Sequence, residues 1–379
     1  MDERLKFIAE HLSGRWDNFS ALCTTFGVSR KTGYKWLGRY EDDGTDGLAV
    51  RSSAPNRSPQ SMAADIARSL VDLRRKHPTW GPRKLLAVRQ REQPEADWPA
   101  ASTLGDLLKR LGLVKERRRR RRASPSTQPF QKCSAPNDTW CIDFKGQFPV
   151  GAQLCYPLTM TDAFSRYLLC CDAMPRIAGN SVQQSMERVF REHGMPKAMR
   201  SDNGPPFAST GFAGLSRLSA WWVRLGIQLE RIEPGKPQQN GRHERFHGSL
   251  KRDLAPRESM AAEQRALDAY RIEFNTYRPH EALAMKTPAD IHVPSARSFP
   301  DRLPELEYSH EHELRRVHSA GDIKWRGQVI YVSEALVGEV VGLRLAGDGV
   351  WSAFFGPVLL GHVSDRAPHL KLVRPTWGR

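Results

Sequence analysis

At Asp138 the apolar pattern of the chain changes period. Strand-like runs over 139–144, 157–161 and 167–173 follow one another directly, and from there helices and strands alternate. The pattern predicts a helix over 181–193, a strand over 198–201, a helix over 212–225 and a strand over 227–232. Helices over 242–254 and 261–277 follow a loop rich in Pro and Gly. Three strands in succession, then strands separated by helices, specify a mixed α/β sheet.

The chain before Asp138 is of another kind. Residues 1–134 hold 27 basic and 15 acidic side chains, against 31 and 27 in the remaining 245 residues. The segment 19–40 reads as a short helix, a turn at Gly27, a cap at Ser29 and a second helix, the order of a helix-turn-helix. Leu22, Phe26, Val28, Tyr34 and Trp36 or Leu37 make its packing side. Arg30, Lys31, Thr32 and Lys35 fall at the start of the second helix, where base edges are met. An ordinary helical hairpin has the same pattern.

After a Pro/Ser/Asn-rich stretch, 51–60, three helical segments are expected over 63–76, 82–91 and 102–111. Ser102 and Thr103 are available as caps, and Trp80, Leu85, Leu86, Leu104, Leu107 and Leu108 as the core. Six consecutive arginines, Arg117, Arg118, Arg119, Arg120, Arg121 and Arg122, then lead into a Ser/Pro/Thr/Gln tail. A run of like charge cannot fold on itself without a counter-charge, so it reads as a solvated linker or a phosphate clamp. Beyond 304, short apolar runs around Trp325, Val340, Leu343, Trp351 and Leu360, with a hairpin signal at Gly347-Asp348-Gly349, predict a small β-barrel.

The net charge of +16 suits a polyanionic partner and argues against an enzyme of small neutral metabolites. Neither an apolar leader nor a membrane-span pattern is visible, which makes the expected location cytoplasmic and nucleoid-associated. Cys23, Cys133, Cys141, Cys155, Cys170 and Cys171 form no C-x-x-C pair, so reduced, partly buried thiols are expected.

Three acids stand where chemistry favours them. Asp143 lies inside a strand between apolar neighbours, an expensive place for a charge unless it is paired or metal-bound. Asp202 closes a strand, at the carboxyl end where open α/β sheets put their sites. Glu244 lies one turn into a helix. Converging, they make an all-oxygen site for a hard cation, and two such ions can serve an in-line phosphodiester displacement. Lys251, seven residues on, shares Glu244's helix face. Each acid taken alone is as readily a cap, a turn or a surface charge.

The blocks Trp140-Cys141-Ile142-Asp143-Phe144, Ser201-Asp202-Asn203-Gly204-Pro205-Pro206-Phe207 and Lys236-Pro237-Gln238-Gln239-Asn240-Gly241-Arg242-His243-Glu244-Arg245-Phe246-His247 resemble those of bacterial insertion-sequence transposases with a retroviral-integrase-like core. Phe274-Asn275-Thr276-Tyr277-Arg278-Pro279-His280-Glu281-Ala282-Leu283, followed by Lys286-Thr287-Pro288-Ala289, is similar to the block that closes the core in that family.

The resemblance implies an RNase H-like core over 136–295 with Asp143, Asp202 and Glu244 as DDE ligands of two Mg²⁺ or Mn²⁺ ions. It implies a helix-turn-helix domain over 1–57, a second, winged-helix-like domain with the arginine run over 58–122, a linker over 123–135 and the barrel over 310–375. The expected activity is cleavage at terminal inverted repeats and strand transfer to target DNA by a homo-oligomer on paired ends, with Lys251 near the DNA end. A DNA-binding regulator with a dead core is the second reading. His243-Glu244-Arg245-Phe246-His247 also spells H-E-x-x-H, a zinc protease motif for which Glu258 or Glu263 would supply a third ligand.

Overall fold

The computed structural model describes residues 3–50, 62–114, 133–232, 241–253 and 256–375. The arginine run Arg117–Arg122, the Pro/Ser/Asn stretch and the loop before Gly241 lie outside the described residues. The chain divides into two compact units, Met1–Ala63 and Ala64–Arg379.

Among the described residues the first unit holds three α-helices, and the first of them, α1 (Glu3–Leu12), is not among the segments expected from the sequence. The predicted pair is present as α2 (Phe19–Thr25) and α3 (Arg30–Asp43). Asn18 caps α2, Gly27 turns the chain at φ 67°, and the Ser29 hydroxyl accepts from Thr32 N at 3.2 Å to start α3. The core is centred on Phe7 of α1, with the rings of Phe19, Phe26 and Trp36 edge-on around it at 5.9, 5.4 and 5.5 Å.

Gly33 lets α3 approach: a Cβ there would meet Cys23 Sγ at 2.7 Å and Phe7 at 2.9 Å. Tyr34, expected on the packing side, instead lies outside the core. It is 59 % exposed and stacks on Phe19 at 4.2 Å. One residue past Gly33, it is turned about 100° away from the face that docks.

The second unit opens with α4 (Ala64–Lys76), α5 (Pro82–Glu92) and α6 (Ala101–Arg110). Pro82 sits at the first position of α5, where its missing N–H costs nothing. The caps expected from Ser102 and Thr103 are not used, because α6 begins one residue earlier, after Ala100. Trp80, Leu85, Leu86, Leu104 and Leu108 are buried as expected.

The six-stranded sheet comprises β1 (Thr139–Phe144), β2 (Phe148–Val150), β3 (Gln153–Asp162), β4 (Leu168–Met174), β5 (Ala198–Ser201) and β6 (Gln228–Arg231). Strand β1 pairs antiparallel with β3 and parallel with β5, β3 pairs antiparallel with β4, and β5 pairs parallel with β6. This is the predicted mixed sheet.

Helices α7 (Gly179–His193) and α8 (Arg217–Arg224) cover one face through Val182, Met186, Phe190, Trp221 and Trp222. Helices α9 (Gly241–Asp253) and α10 (Met260–Thr276) bury Phe246, Leu250, Leu267, Tyr270 and Phe274 against Leu168 and Cys171 of β4. The three-helix module α4–α6 rests on the segment after α10. Trp80 lies 5.9 Å from the Tyr277 ring, Tyr277 Oη donates to Glu92 at 3.0 Å, and Arg91 pairs with Asp290 at 3.2 Å.

The C-terminal part carries β7 (Glu313–Arg316), β8 (Asp322–Trp325), β9 (Gln328–Tyr331), β10 (Val340–Gly347), β11 (Val350–Phe355) and β12 (Val358–Ser364). The expected closed barrel is not what the pairing gives. Strands run β12-β11-β10-β7 in one sheet, and β8-β9 form a separate hairpin. Strand β7 is four residues long and β12 spends its outer edge on a bridge from His362 to Val373, so neither edge meets the hairpin. Trp325, Ile330, Leu343 and Phe355 share a core with Leu215, Ala220 and Val223 around α8.

Candidate active site

Parallel pairing of β1 with β5 sets Cys141 opposite Arg200, and the same register carried two residues on places Asp143 level with Asp202. The two carboxylates thus leave the carboxyl ends of adjacent strands. Asp202 is steadied by the Gly204 amide, which donates to its Oδ1 at 3.1 Å, and a side chain at 204 would crowd that carboxylate from 3.2 Å. Glu244 lies in the first turn of α9, is exposed, and is near enough to act electrostatically on Asp143.

The Asp143 carboxyl is pushed up to about 7 by burial first and then by the negative charges of Asp202 and Glu244. Burial and two nearby negative charges make a charge on Asp143 costly, a cost that a bound cation would offset. Carboxylate oxygens suit Mg²⁺ or Mn²⁺, and among the described residues the group whose possible ligand atoms lie within 4.8 Å of one another is Asp143, His243 and His247, without Asp202 or Glu244.

Besides the apolar packing of Phe246 and Leu250, a polar contact between histidine and threonine ties α9 to the sheet. His243 is 1 % exposed, with Nε2 2.8 Å from Thr159 Oγ1 and Nδ1 3.1 Å from Thr161 Oγ1. Burial drives its basicity far down, so it stays neutral. His247 puts Nε2 on the same Thr159 hydroxyl at 2.8 Å, and its Nδ1 is 4.0 Å from Asp143 Oδ2. Burial, then Lys145, lowers His247 to about 4.

Both nitrogens of His243 are taken by threonine hydroxyls, which disfavours the paired zinc ligands that H-E-x-x-H requires. Glu263, one of the two proposed third ligands, is buried elsewhere and accepts from the Arg257 amide at 3.0 Å.

Cations gather at the mouth. Lys251 is exposed on α9, and Lys145, just past β1, is close enough that Lys251 helps to lower its basicity after burial. Among the described residues no carboxylate pairs with Lys251. Lys145 and Thr159 were not among the sequence candidates. Lys145 had a signal, two places after Asp143 at the end of a strand, whereas Thr159 had none, since its register against Asp143 is a tertiary fact.

In the first unit Arg30, Lys31 and Lys35 are exposed on α3, and Thr32 has its hydroxyl 2.9 Å from that of Ser29. No helix among the described residues is long and apolar enough to cross a membrane.

Residues 134–237 and 225–288 match integrase core domain families, and residues 8–76 match the family described as the leucine-zipper of insertion element IS481. In this chain the described part of that last span is α1 to α4, none longer than 14 residues. A protein of insertion element IS407 from Burkholderia multivorans is 29 % identical over 230 residues, covering 60 % of this chain and 80 % of the relative. A protein of insertion element IS476 from Xanthomonas euvesicatoria is 29 % identical over 241 residues, covering 63 % and 67 %.

The HTLV-2 integrase catalytic core domain, solved with magnesium, matches at 16 % identity over 42 % of this chain and 99 % of its own. Its TM-score is 0.34, a level at which no shared detail follows. Over the blocks that hold Asp143, Asp202 and Glu244 the chain carries an integrase core, and that core together with the insertion-element relatives supports an enzyme acting on DNA, a transposase or integrase.

Proposed function

We propose that the chain binds the terminal inverted repeats of its element, cleaves a strand at each end and joins the resulting 3′-hydroxyl to target DNA. Asp143, Asp202 and Glu244 hold two divalent ions, Mg²⁺ or Mn²⁺, in an RNase H-like core. The observation that carries this reading is the Asp143 carboxyl, raised to about 7 by burial and by the two acids that face it.

Bound there, the metal ions supply a charge that activates a water or 3′-hydroxyl and steadies the leaving oxygen of a phosphodiester. The chain's own residues do the rest. Asp202, held by the Gly204 amide, and Glu244, held by the anchoring of α9 through His243, keep their carboxylates in place before substrate arrives. Lys145 and Lys251 lie at the mouth as phosphate contacts for the DNA end. The α3 residues Arg30, Lys31, Thr32 and Lys35 read the repeat, and Arg117 to Arg122 clamp its backbone. A homo-oligomer brings the two ends together.

The test is strand cleavage and joining on labelled duplexes from both flanks of the gene, comparing wild type with Asp202→Asn in Mg²⁺, Mn²⁺ and EDTA. Metal-dependent 3′-end cutting and joining, lost in the variant while end binding persists, is the expected result. Tight end binding without cutting in any metal would make the chain a regulator.

A further inference from the structure

We infer that His247 is a fourth ligand of the metal site, presenting the Nδ1 of its imidazole beside the Asp143 carboxylate. The inference rests on the reading of Asp143, Asp202 and Glu244 as metal-holding residues, and it comes from counting protons around one hydroxyl. Thr159 Oγ1 donates to the backbone carbonyl of Asp143, its partner across β1 and β3, at 3.1 Å. A hydroxyl has one proton, so toward the two imidazoles at 2.8 Å it can only accept. Both Nε2 atoms must then carry hydrogen.

For His243 the remaining Nδ1 accepts from Thr161, so both of its nitrogens are satisfied. For His247 the remaining Nδ1 is a bare lone pair, and it faces Asp143 Oδ2 at 4.0 Å. Two acceptors confront one another across a gap too long for a hydrogen bond. A cation bonded to each at about 2.0–2.2 Å spans such a gap. The threonine hydroxyl behind the ring is the outer partner that a metal-binding histidine ordinarily has, fixing its tautomer and aim.

The consequence is a site that is not purely oxygen. An imidazole among carboxylates raises affinity for Mn²⁺, Co²⁺ and Zn²⁺ over Mg²⁺. It also gives the two histidines one turn apart on α9 different work, with His243 as the anchor and His247 as the ligand.

Mn²⁺ bound to the untagged full chain, read by electron spin-echo modulation, tests this without relying on activity. Wild type should show the modulation of a directly bound nitrogen, and growth on ¹⁵N-histidine should shift its frequencies, a measurement that needs no variant to fold. His247→Gln should abolish the modulation and weaken Mn²⁺ binding by roughly tenfold or more. If Mn²⁺ binding depends on Asp143 but the echo carries no nitrogen, or keeps it in His247→Gln, the ligand assignment is overturned and the carboxylate site stands. If Asp143→Asn binds Mn²⁺ as wild type does, the carboxylate reading falls and this inference with it.

Discussion

The first unit and the integrase core place their functional charges in opposite ways. On α3, Arg30, Lys31 and Lys35 project from a helix whose other face is buried around Phe7, and water solvates them. In the core, the Asp143 side chain keeps only 22 % of its surface exposed and is crowded by Asp202 and Glu244. A solvated cation costs the fold nothing and can be changed freely. A mostly buried carboxylate beside like charges costs stability in every molecule that keeps it, so its presence speaks for chemistry.

The largest expected effect separates these two kinds of site most sharply. Asp202→Asn should lower strand cleavage roughly a thousandfold or more, since several kcal/mol of transition-state stabilisation depend on the metal and each 1.4 kcal/mol is tenfold. Without divalent metal the same variant should melt at or above wild type, because one of the charges crowding Asp143 is gone. A lower melting temperature in calorimetry would mean that the carboxylate is structural.

Next in size, Phe7→Ala should remove about 3–5 kcal/mol from the first unit, the range for deleting a buried aromatic ring. Joining of a pre-cut end by the core should be retained while end selectivity is lost. Loss of both in parallel would show that the core depends on that unit.

A smaller change is expected from Arg30→Ala, Lys31→Ala and Lys35→Ala together. Their stability effect should stay within about 0.5 kcal/mol each. Each phosphate contact removed should flatten the log–log salt dependence of end binding by about one unit. A residue that reads a base edge should instead cost selectivity with the slope unchanged.

The smallest concerns acid stability. Burial first, then His193, lowers His292 to about 4, and burial lowers His280 to about 3. From pH 6.5 downward the unfolded chain takes up protons that the folded chain refuses, so the stability present above 6.5 is lost as pH falls toward 4. His292 stacks on Tyr167 at 4.2 Å, and neither ring nitrogen has a partner among the described residues. His292→Phe keeps the stack and should leave melting at pH 7.5 equal or slightly raised, while reducing the fall between pH 6.5 and 4.5. An unchanged acid limb would assign that limb to other groups.

Strand runs at 139–144 and 198–201 and the carboxylates on them were legible because period and position are local properties. The sheet could only be mixed once three strands preceded the first helix. Less was read in the first unit, where α1, which supplies the central ring, was not among the expected segments. The C-terminal strands read correctly as strands, yet which edges meet is set by lengths and bridges, and β7 is too short to close a barrel.

The amino-acid order by itself pointed to the integrase core and the mixed sheet and nominated the three acids, since these signals are carried by local runs of residues. Only the tertiary structure decided that Thr159, 84 positions from His243 and 88 from His247, receives both histidines. It likewise decided that Lys145 faces Lys251 and that the helices beginning at Ala64 rest on the segment after α10. These are contacts between segments whose local patterns say which face is buried and nothing about what it is buried against.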